Sequence, residues 1–164
     1  MHKLTYSRFV ILLCIGKIHF LIGMLKNIYY VNKDKITFKT ICNLLKQNQK
    51  IKLSEESKNL IIKCRNYLDN KTKNESTPIY GINTGFGALY NKSISNKDLC
   101  KLQENLVISH ACGIGEEVPN EIVKLMILLK VQSLSYGHSG VQLSTVNRLI
   151  DFFNNDIIPV IYQQ

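Results

Sequence analysis

The sequence has 164 residues, of which 45% are hydrophobic and 20% are charged, as in an ordinary globular domain and unlike a disordered chain. Its net charge is +9, but residues 1–77 carry 15 Lys and Arg against 5 Asp and Glu, whereas residues 78–164 carry 6 against 7. Because the lysines are scattered and do not alternate with aromatic residues, the charge favours a solvated surface and argues against nucleic-acid binding.

Residues 1–23 differ in character from the rest of the chain. The apolar run 9–16 follows Lys3 and Arg8, as the core of an export signal would. At about eight residues the run is too short to span a bilayer. Lys17 and His19 interrupt its continuation, and no small-residue cleavage site follows. We therefore expect an apolar N-terminal extension of doubtful role, with an export signal as the alternative, ahead of a region that begins at Met24.

From residue 25 onward, the spacing of apolar residues predicts a mainly α-helical fold. Thr37 is a suitable N-cap for a first helix. Ser54 begins a second helix, whose apolar stripe ends in the polar stretch 70–77. Short strands are expected at 28–31 and 157–162.

The second half of the chain predicts three more helices, separated by glycine-containing turns. The first begins after Asp98, the second opens at Pro119 and is apolar around most of its surface, and the third is capped by Ser144. His110 follows Leu106 by four residues on the apolar side of the first of these helices. We therefore expect His110 to project from a buried face.

The stretch between Pro78 and the third helix is a candidate active-site loop. It reads Tyr80-Gly-Ile-Asn-Thr-Gly-Phe-Gly87, and three glycines so close to one tyrosine permit backbone conformations that other residues avoid. Since a phenol ordinarily keeps its proton near neutrality, Tyr80 needs cationic or hydrogen-bonding neighbours that stabilise the phenolate in order to act as a general base. The alternative is a tyrosine packed at a turn with its hydroxyl bonded to a carbonyl. The loop is not a phosphate-binding loop, because no Gly-Lys-Ser/Thr follows it and it contains no GxGxxG pattern.

The histidines and cysteines do not form a metal-binding pattern. A lone histidine on an apolar helix face is more often a core residue, but the glycine break at 113–115 would let a ligand approach His110. His138 lies in a Gly-His-Ser-Gly turn, which favours a structural or surface role. Neither histidine has a carboxylate at ligand spacing. Five cysteines without a CxxC pair favour reduced thiols in the cytoplasm.

Three ordered segments together resemble the aromatic amino-acid ammonia-lyase family, and within it the histidine-specific branch. They are the loop Tyr80–Gly87, the segment Leu102-Gln-Glu-Asn-Leu-Val-Ile-Ser-His110-Ala111, and the segment Ser133-Leu-Ser-Tyr-Gly-His-Ser-Gly140. The resemblance implies the non-hydrolytic removal of ammonia from L-histidine to give trans-urocanate, in histidine catabolism. It also implies a cytoplasmic homotetramer with no metal and with no nucleic-acid or membrane partner. The implied cofactor is methylidene-imidazolone (MIO), an electrophile that the family forms from an internal Ala-Ser-Gly.

The resemblance also implies roles for residues of this chain. Tyr80 is the implied base for the β-proton of the substrate, and His110 is implied to face the substrate side chain. The remainder of the implied active-site loop is Gly81, Asn83, Thr84, Gly85, Phe86 and Gly87.

The sequence departs from the family pattern in one respect. Family members continue after the equivalent of Val160-Ile-Tyr-Gln-Gln164 with a segment that contains Ala-Ser-Gly, and this chain contains no Ala-Ser-Gly. Residues 24–164 therefore look like the N-terminal portion of the family's helical-bundle domain, truncated before the cofactor-forming tripeptide and inactive alone. The alternatives are a non-catalytic remnant or interaction module that keeps the scaffold, and part of a lyase acting on tyrosine or phenylalanine.

Overall fold

The computed structural model describes residues 28–74, 77–95 and 97–164. Within these ranges the chain forms five α-helices and a two-stranded sheet, which confirms the mainly α-helical prediction. The expected extension at 1–23 lies outside the described residues. Among the described helices, none has both the length and the apolar character needed to cross a membrane.

The elements run in chain order as β1 Ile28–Val31, α1 Phe38–Lys46, β2 Lys50–Leu53, α2 Glu55–Asn74, a short 3₁₀ turn Gly87–Leu89, α3 Leu99–His110, α4 Asn120–Ser135 and α5 Leu143–Asn154. β1 and β2 are parallel, with Ile28 opposite Lys50 and Val31 opposite Leu53. Helix α1 makes the crossover that a parallel pair requires.

The strand prediction is confirmed at 28–31 and is wrong at 157–162. In that second range, the ladder pairing consists of one isolated bridge, between Tyr162 and Glu117. The partner of β1 is instead Lys50–Leu53, which the sequence analysis missed. Its alternation is clear in the structure, where Ile51 and Leu53 are buried and the two lysines are exposed. Four residues with two lysines give too short a signal to stand out beside a helix end.

The hydrophobic core joins the strand pair to α1, α2, α4 and α5. Its buried side chains are Val31, Leu44, Ile51, Leu53, Ile61, Val123, Ile127, Leu128, Val131, Leu134, Val146, Ile150 and Phe153. A polar contact reinforces the junction of β1 with α4. The amide nitrogen of Gln132 donates to the carbonyls of Asn32 at 2.9 Å and Asp34 at 3.0 Å.

The helix starts were predicted with mixed success. Thr37 Oγ1 accepts from the backbone N–H of Thr40 at 3.2 Å, as an N-cap does. Ser54 Oγ accepts from Ser57 N–H at 3.1 Å, so both of these starts are confirmed. The Ser144 cap is wrong, because α5 already begins at Leu143 with Gln142 at the cap position.

Candidate functional site

The candidate site is built around a tight turn at the start of the glycine-rich loop. Ile82 N–H donates to the Ile79 carbonyl at 3.0 Å, and Asn83 N–H donates to the same carbonyl at 3.2 Å. Gly81 occupies the third position of this turn with φ +70°, a conformation that glycine adopts without strain. The turn places Tyr80 away from the core, and the residue is 62% exposed.

Two buried polar side chains hold the turn from within the loop. Asn83 Oδ1 accepts from Ile79 N–H at 2.7 Å, while its amide nitrogen donates to the Thr77 carbonyl at 3.1 Å. Thr84 is fully buried, and its hydroxyl oxygen accepts from Gly81 N–H at 3.3 Å. Both ends of the Tyr80 turn are therefore fixed by side chains that the sequence analysis placed in the loop.

The ring of Phe86 contacts the rings of both Tyr80 and His110, and we call these three rings the row of rings. The ring of Phe86 lies 5.6 Å from that of Tyr80 and 5.4 Å from that of His110, measured between centroids. The Phe86–His110 contact is edge-on, with 84° between the ring planes, which is a favourable arrangement for such rings. The two candidate residues chosen from the sequence thus flank a third, Phe86.

His110 is not in a buried face, contrary to the prediction. All twelve residues of α3 are described and none of them is buried, because no core element of the described chain covers this helix. Val107, on the side expected to be apolar and covered, is 70% exposed. The core-residue alternative for His110 is therefore wrong as well.

The hydrogen bonds of His110 fix the orientation and the tautomer of its ring. Its Nδ1 lies 2.8 Å from the Leu106 carbonyl and 3.1 Å from Ser109 Oγ. A carbonyl can only accept, so Nδ1 carries a hydrogen and donates to Leu106. In the neutral ring this leaves Nε2 as an acceptor, at the opposite end of the imidazole.

Gln103 is a contact residue that the sequence analysis did not single out. Its amide nitrogen donates to the carbonyls of Gly81 and Ile82, each at 2.9 Å. In the sequence, Gln103 is part of the segment 102–111 that carries the family resemblance. Neither its residue type nor its spacing indicated that it would bind the loop.

A backbone ribbon lies just beyond His110. Ile114 and Gln164 exchange backbone hydrogen bonds at 2.7 and 3.2 Å, and Val118 N–H donates to the Ile161 carbonyl at 2.7 Å. Gly113 permits this approach, because a Cβ at that position would lie 2.8 Å from the ring of Tyr162. The ribbon holds residues 161–164 beside the end of α3, four residues from His110.

A cavity of about 470 Å³ lies behind the loop, between α2 and α3. Its lining includes Arg65, Asp69, Ile82, Cys100 and Gln103, and Arg65 is ion-paired with Asp69 at 2.7 Å. Tyr80 and His110 are exposed to solvent instead of lining this cavity. The described residues therefore provide one wall of a site, with a phenol and an imidazole on it. Within the described part of the chain, no group of three His, Cys, Asp or Glu side chains is placed to hold a metal ion.

Comparison with known proteins identifies sequence relatives. The family model for aromatic amino acid lyases matches residues 36–164. The histidine ammonia-lyase of Natranaerobius thermophilus is 38% identical over 132 residues, which cover 80% of this chain and 26% of that protein. The histidine ammonia-lyase of Deinococcus radiodurans is 40% identical over 122 residues, covering 74% and 23% respectively. The chain thus spans about a quarter of the length of these curated relatives.

Solved structures give the same fold. Histidine ammonia-lyase from Trypanosoma cruzi superposes with a TM-score of 0.72 at 31% identity, over 84% of this chain and 27% of that one. The ergothionase of Treponema denticola superposes with a TM-score of 0.79 at 24% identity, again over 84% of this chain and 27% of that one. This second likeness concerns the fold alone.

Proposed function

Because the chain belongs to the aromatic amino acid lyase family, we propose that it is the N-terminal portion of a histidine ammonia-lyase. The whole enzyme would convert L-histidine to trans-urocanate and ammonia, as a cytoplasmic homotetramer. In this proposal Tyr80 is the base and His110 contacts the imidazole of the substrate. Residues 24–164 form part of one catalytic domain and are inactive alone.

The observation that carries the proposal is the row of rings formed by Tyr80, Phe86 and His110. It joins a potential base and a potential imidazole-binding group from two segments that are distant in the sequence. Gly87 N–H lies 3.4 Å from the phenolic oxygen of Tyr80 and is directed to donate to it. Tyrosine accepts a proton as the phenolate, and this N–H is placed to donate to the phenolate oxygen.

The tautomer of His110 supports histidine as the substrate. With Nδ1–H bonded to the Leu106 carbonyl, neutral His110 offers Nε2 as an acceptor to a ligand. The N–H of a substrate imidazole is a matching donor, whereas the ring of phenylalanine has none. Several curated relatives of similar identity carry the histidine ammonia-lyase name, which favours histidine over the tyrosine and phenylalanine alternatives.

The residues present do not account for the family's electrophile. Methylidene-imidazolone would be made from an Ala-Ser-Gly, and none occurs among the 164 residues. The row of rings offers a base and a polar ring but no electrophilic carbon. The proposed contribution of this chain is therefore to hold the imidazole at His110 and to accept the β-proton at the Tyr80 oxygen.

A chimera tests the proposal. Residues 24–164 replace the matching quarter of the Natranaerobius thermophilus relative, so that the rest of the lyase is supplied by that protein. The chimera should produce urocanate from L-histidine, measured by its ultraviolet absorbance, while the 164-residue chain alone should produce none. Tyr80→Phe in the chimera should lower kcat by far more than about tenfold, because it removes the general base.

Two results would contradict the proposal. One is turnover by the 164-residue chain alone. The other is a folded chimera, verified by circular dichroism and size-exclusion chromatography, whose turnover is absent or is unchanged by Tyr80→Phe.

A further inference from the structure

We infer that Gln103 is a positioning residue, which fixes the loop carrying Tyr80 to the helix carrying His110. The inference rests on the proposed function and deepens it by naming a residue that acts through Tyr80. Gln103 Nε2 has two hydrogens, and the structure directs them to two consecutive loop carbonyls, those of Gly81 and Ile82, both at 2.9 Å. These carbonyls belong to the residues directly after Tyr80.

The loop is attached to α3 at two points. Gln103 and His110 are seven residues apart, which is close to two helical turns, so they lie on the same face of α3. Gln103 holds the loop by its backbone at residues 81 and 82. His110 contacts the same loop through the ring of Phe86. Tyr80 lies beside both attachments, since it precedes Gly81 and its ring contacts Phe86.

The two hydrogen bonds from Gln103 to the loop, which we call the Gln103 clamp, are important because burial does little to hold α3 in place. None of the residues of α3, all of which are described, is buried, and a cavity of about 470 Å³ lies behind Ile82 and Gln103. The position of the loop relative to α3 therefore depends on directed polar contacts more than on packing. Loss of both hydrogen bonds should let the loop move relative to α3, and Tyr80 and His110 would then no longer keep a fixed separation.

The first experiment uses the 164-residue chain and does not require activity. Gln103→Leu removes both donors at similar volume, and Glu104→Leu is the matched control, because Glu104 is exposed on the same helix and pairs with Lys101. Amide hydrogen exchange of the loop should be about tenfold faster in Gln103→Leu than in the control, as expected for the loss of two hydrogen bonds. The ring-proton shifts of His110 in NMR spectra, which report on the neighbouring Phe86 ring, should change only in Gln103→Leu.

The second experiment uses the chimera. Gln103→Leu should lower kcat about tenfold with little change in KM, since a misplaced base affects proton transfer more than binding. If Gln103→Leu does not fold, Gln103→Glu replaces it, because its carboxylate faces the two carbonyls without a hydrogen to donate at neutral pH.

The outcomes separate this inference from the proposed function. If Gln103→Leu has the same loop amide exchange and the same His110 ring-proton shifts as the Glu104→Leu control, the proposed role of the Gln103 clamp is refuted, whatever the activity of the chimera. Faster exchange and shifted resonances in a chain whose chimera lacks lyase activity would support the clamp and refute the proposed function. An equal loss of kcat in the Gln103→Leu chimera and in a matched Glu104→Leu chimera would overturn a specific role for Gln103.

Discussion

The conformation of Gly81 leads to a prediction about the row of rings. Gly81 has φ +70°, and a Cβ added there would lie 2.8 Å from Cε1 of Phe86. Gly81→Ala therefore introduces two separate costs, one in the backbone and one against the middle ring of the row. Because Phe86 contacts both Tyr80 and His110, a displaced Phe86 ring would disturb both candidate residues.

The size of the effect follows from these two costs. A positive φ costs an alanine roughly 1–2 kcal/mol. A side-chain overlap typically adds roughly 1–3 kcal/mol, although the free edge of the Phe86 ring can relieve part of it. Together they should raise the free energy of the closed loop by at least about 2 kcal/mol, which corresponds to about a 30-fold rise in the loop-opening equilibrium.

The assay is amide exchange at positions whose hydrogen bonds require the closed loop. Ile82 and Asn83 N–H donate to the Ile79 carbonyl, and Ile94 N–H donates to the Asn83 carbonyl at 2.8 Å. Gly87→Ala is the matched control, because Gly87 has φ +54° and, apart from its two neighbours in the chain, a Cβ there would meet no heavy atom of the described residues within 4 Å. Gly87→Ala introduces the backbone cost alone. The amide exchange of the loop should therefore rise less than in Gly81→Ala, and the His110 ring-proton shifts should not change. Equal effects of the two substitutions would refute the argument from the Phe86 contact.

Two further predictions concern the substrate and the pH dependence of stability. His110→Phe in the chimera should shift the kcat/KM ratio roughly tenfold or more from histidine towards phenylalanine, because it removes the acceptor for the imidazole N–H; an unchanged ratio would exclude His110 from substrate recognition. The hydrogen bond from Lys124 lowers the pKa of Asp156, so this contact stabilises the fold above the unfolded-state pKa of about 4 and is lost as pH falls through the lower folded value. Asp156→Asn, which suits φ +53°, should flatten the acid side of a plot of urea midpoint against pH. The change should be small because Asp156 is half exposed, and an acid side as steep as that of the unaltered chain would contradict it.

The sequence predicted the core elements where a local signal was strong. Thr37 and Ser54 are oxygen-bearing side chains directly ahead of apolar-periodic stretches, and both cap helices as expected. Ser144 looked equally suitable, but Leu143 is partly buried against the core, and packing extends α5 by one residue. The strand at 50–53 was missed because its evidence is pairing with β1, which is not local.

The candidate site was predictable in its membership but not in its arrangement. The glycine-rich loop and the segment ending at His110 each carry a recognisable pattern, so Tyr80 and His110 could be chosen from the sequence. That Phe86 lies between them, and that Gln103 reaches Gly81 and Ile82, depends on how the loop folds over α3. Helical periodicity also misled, because it placed His110 on a face that would be buried only if another element covered α3.

The distribution of burial separates stability from site geometry in this chain. The apolar core lies among the strand pair, α1, α2, α4 and α5, whereas every residue of α3 is at least partly exposed. Changes at buried Leu128 or Phe153 should therefore lower the stability of the whole fold. Changes at Gly81 or Gln103 should alter the loop while leaving the urea midpoint nearly unchanged. The site is held by hydrogen bonds and ring contacts, which are directional, so small local substitutions can misplace Tyr80 without unfolding the chain.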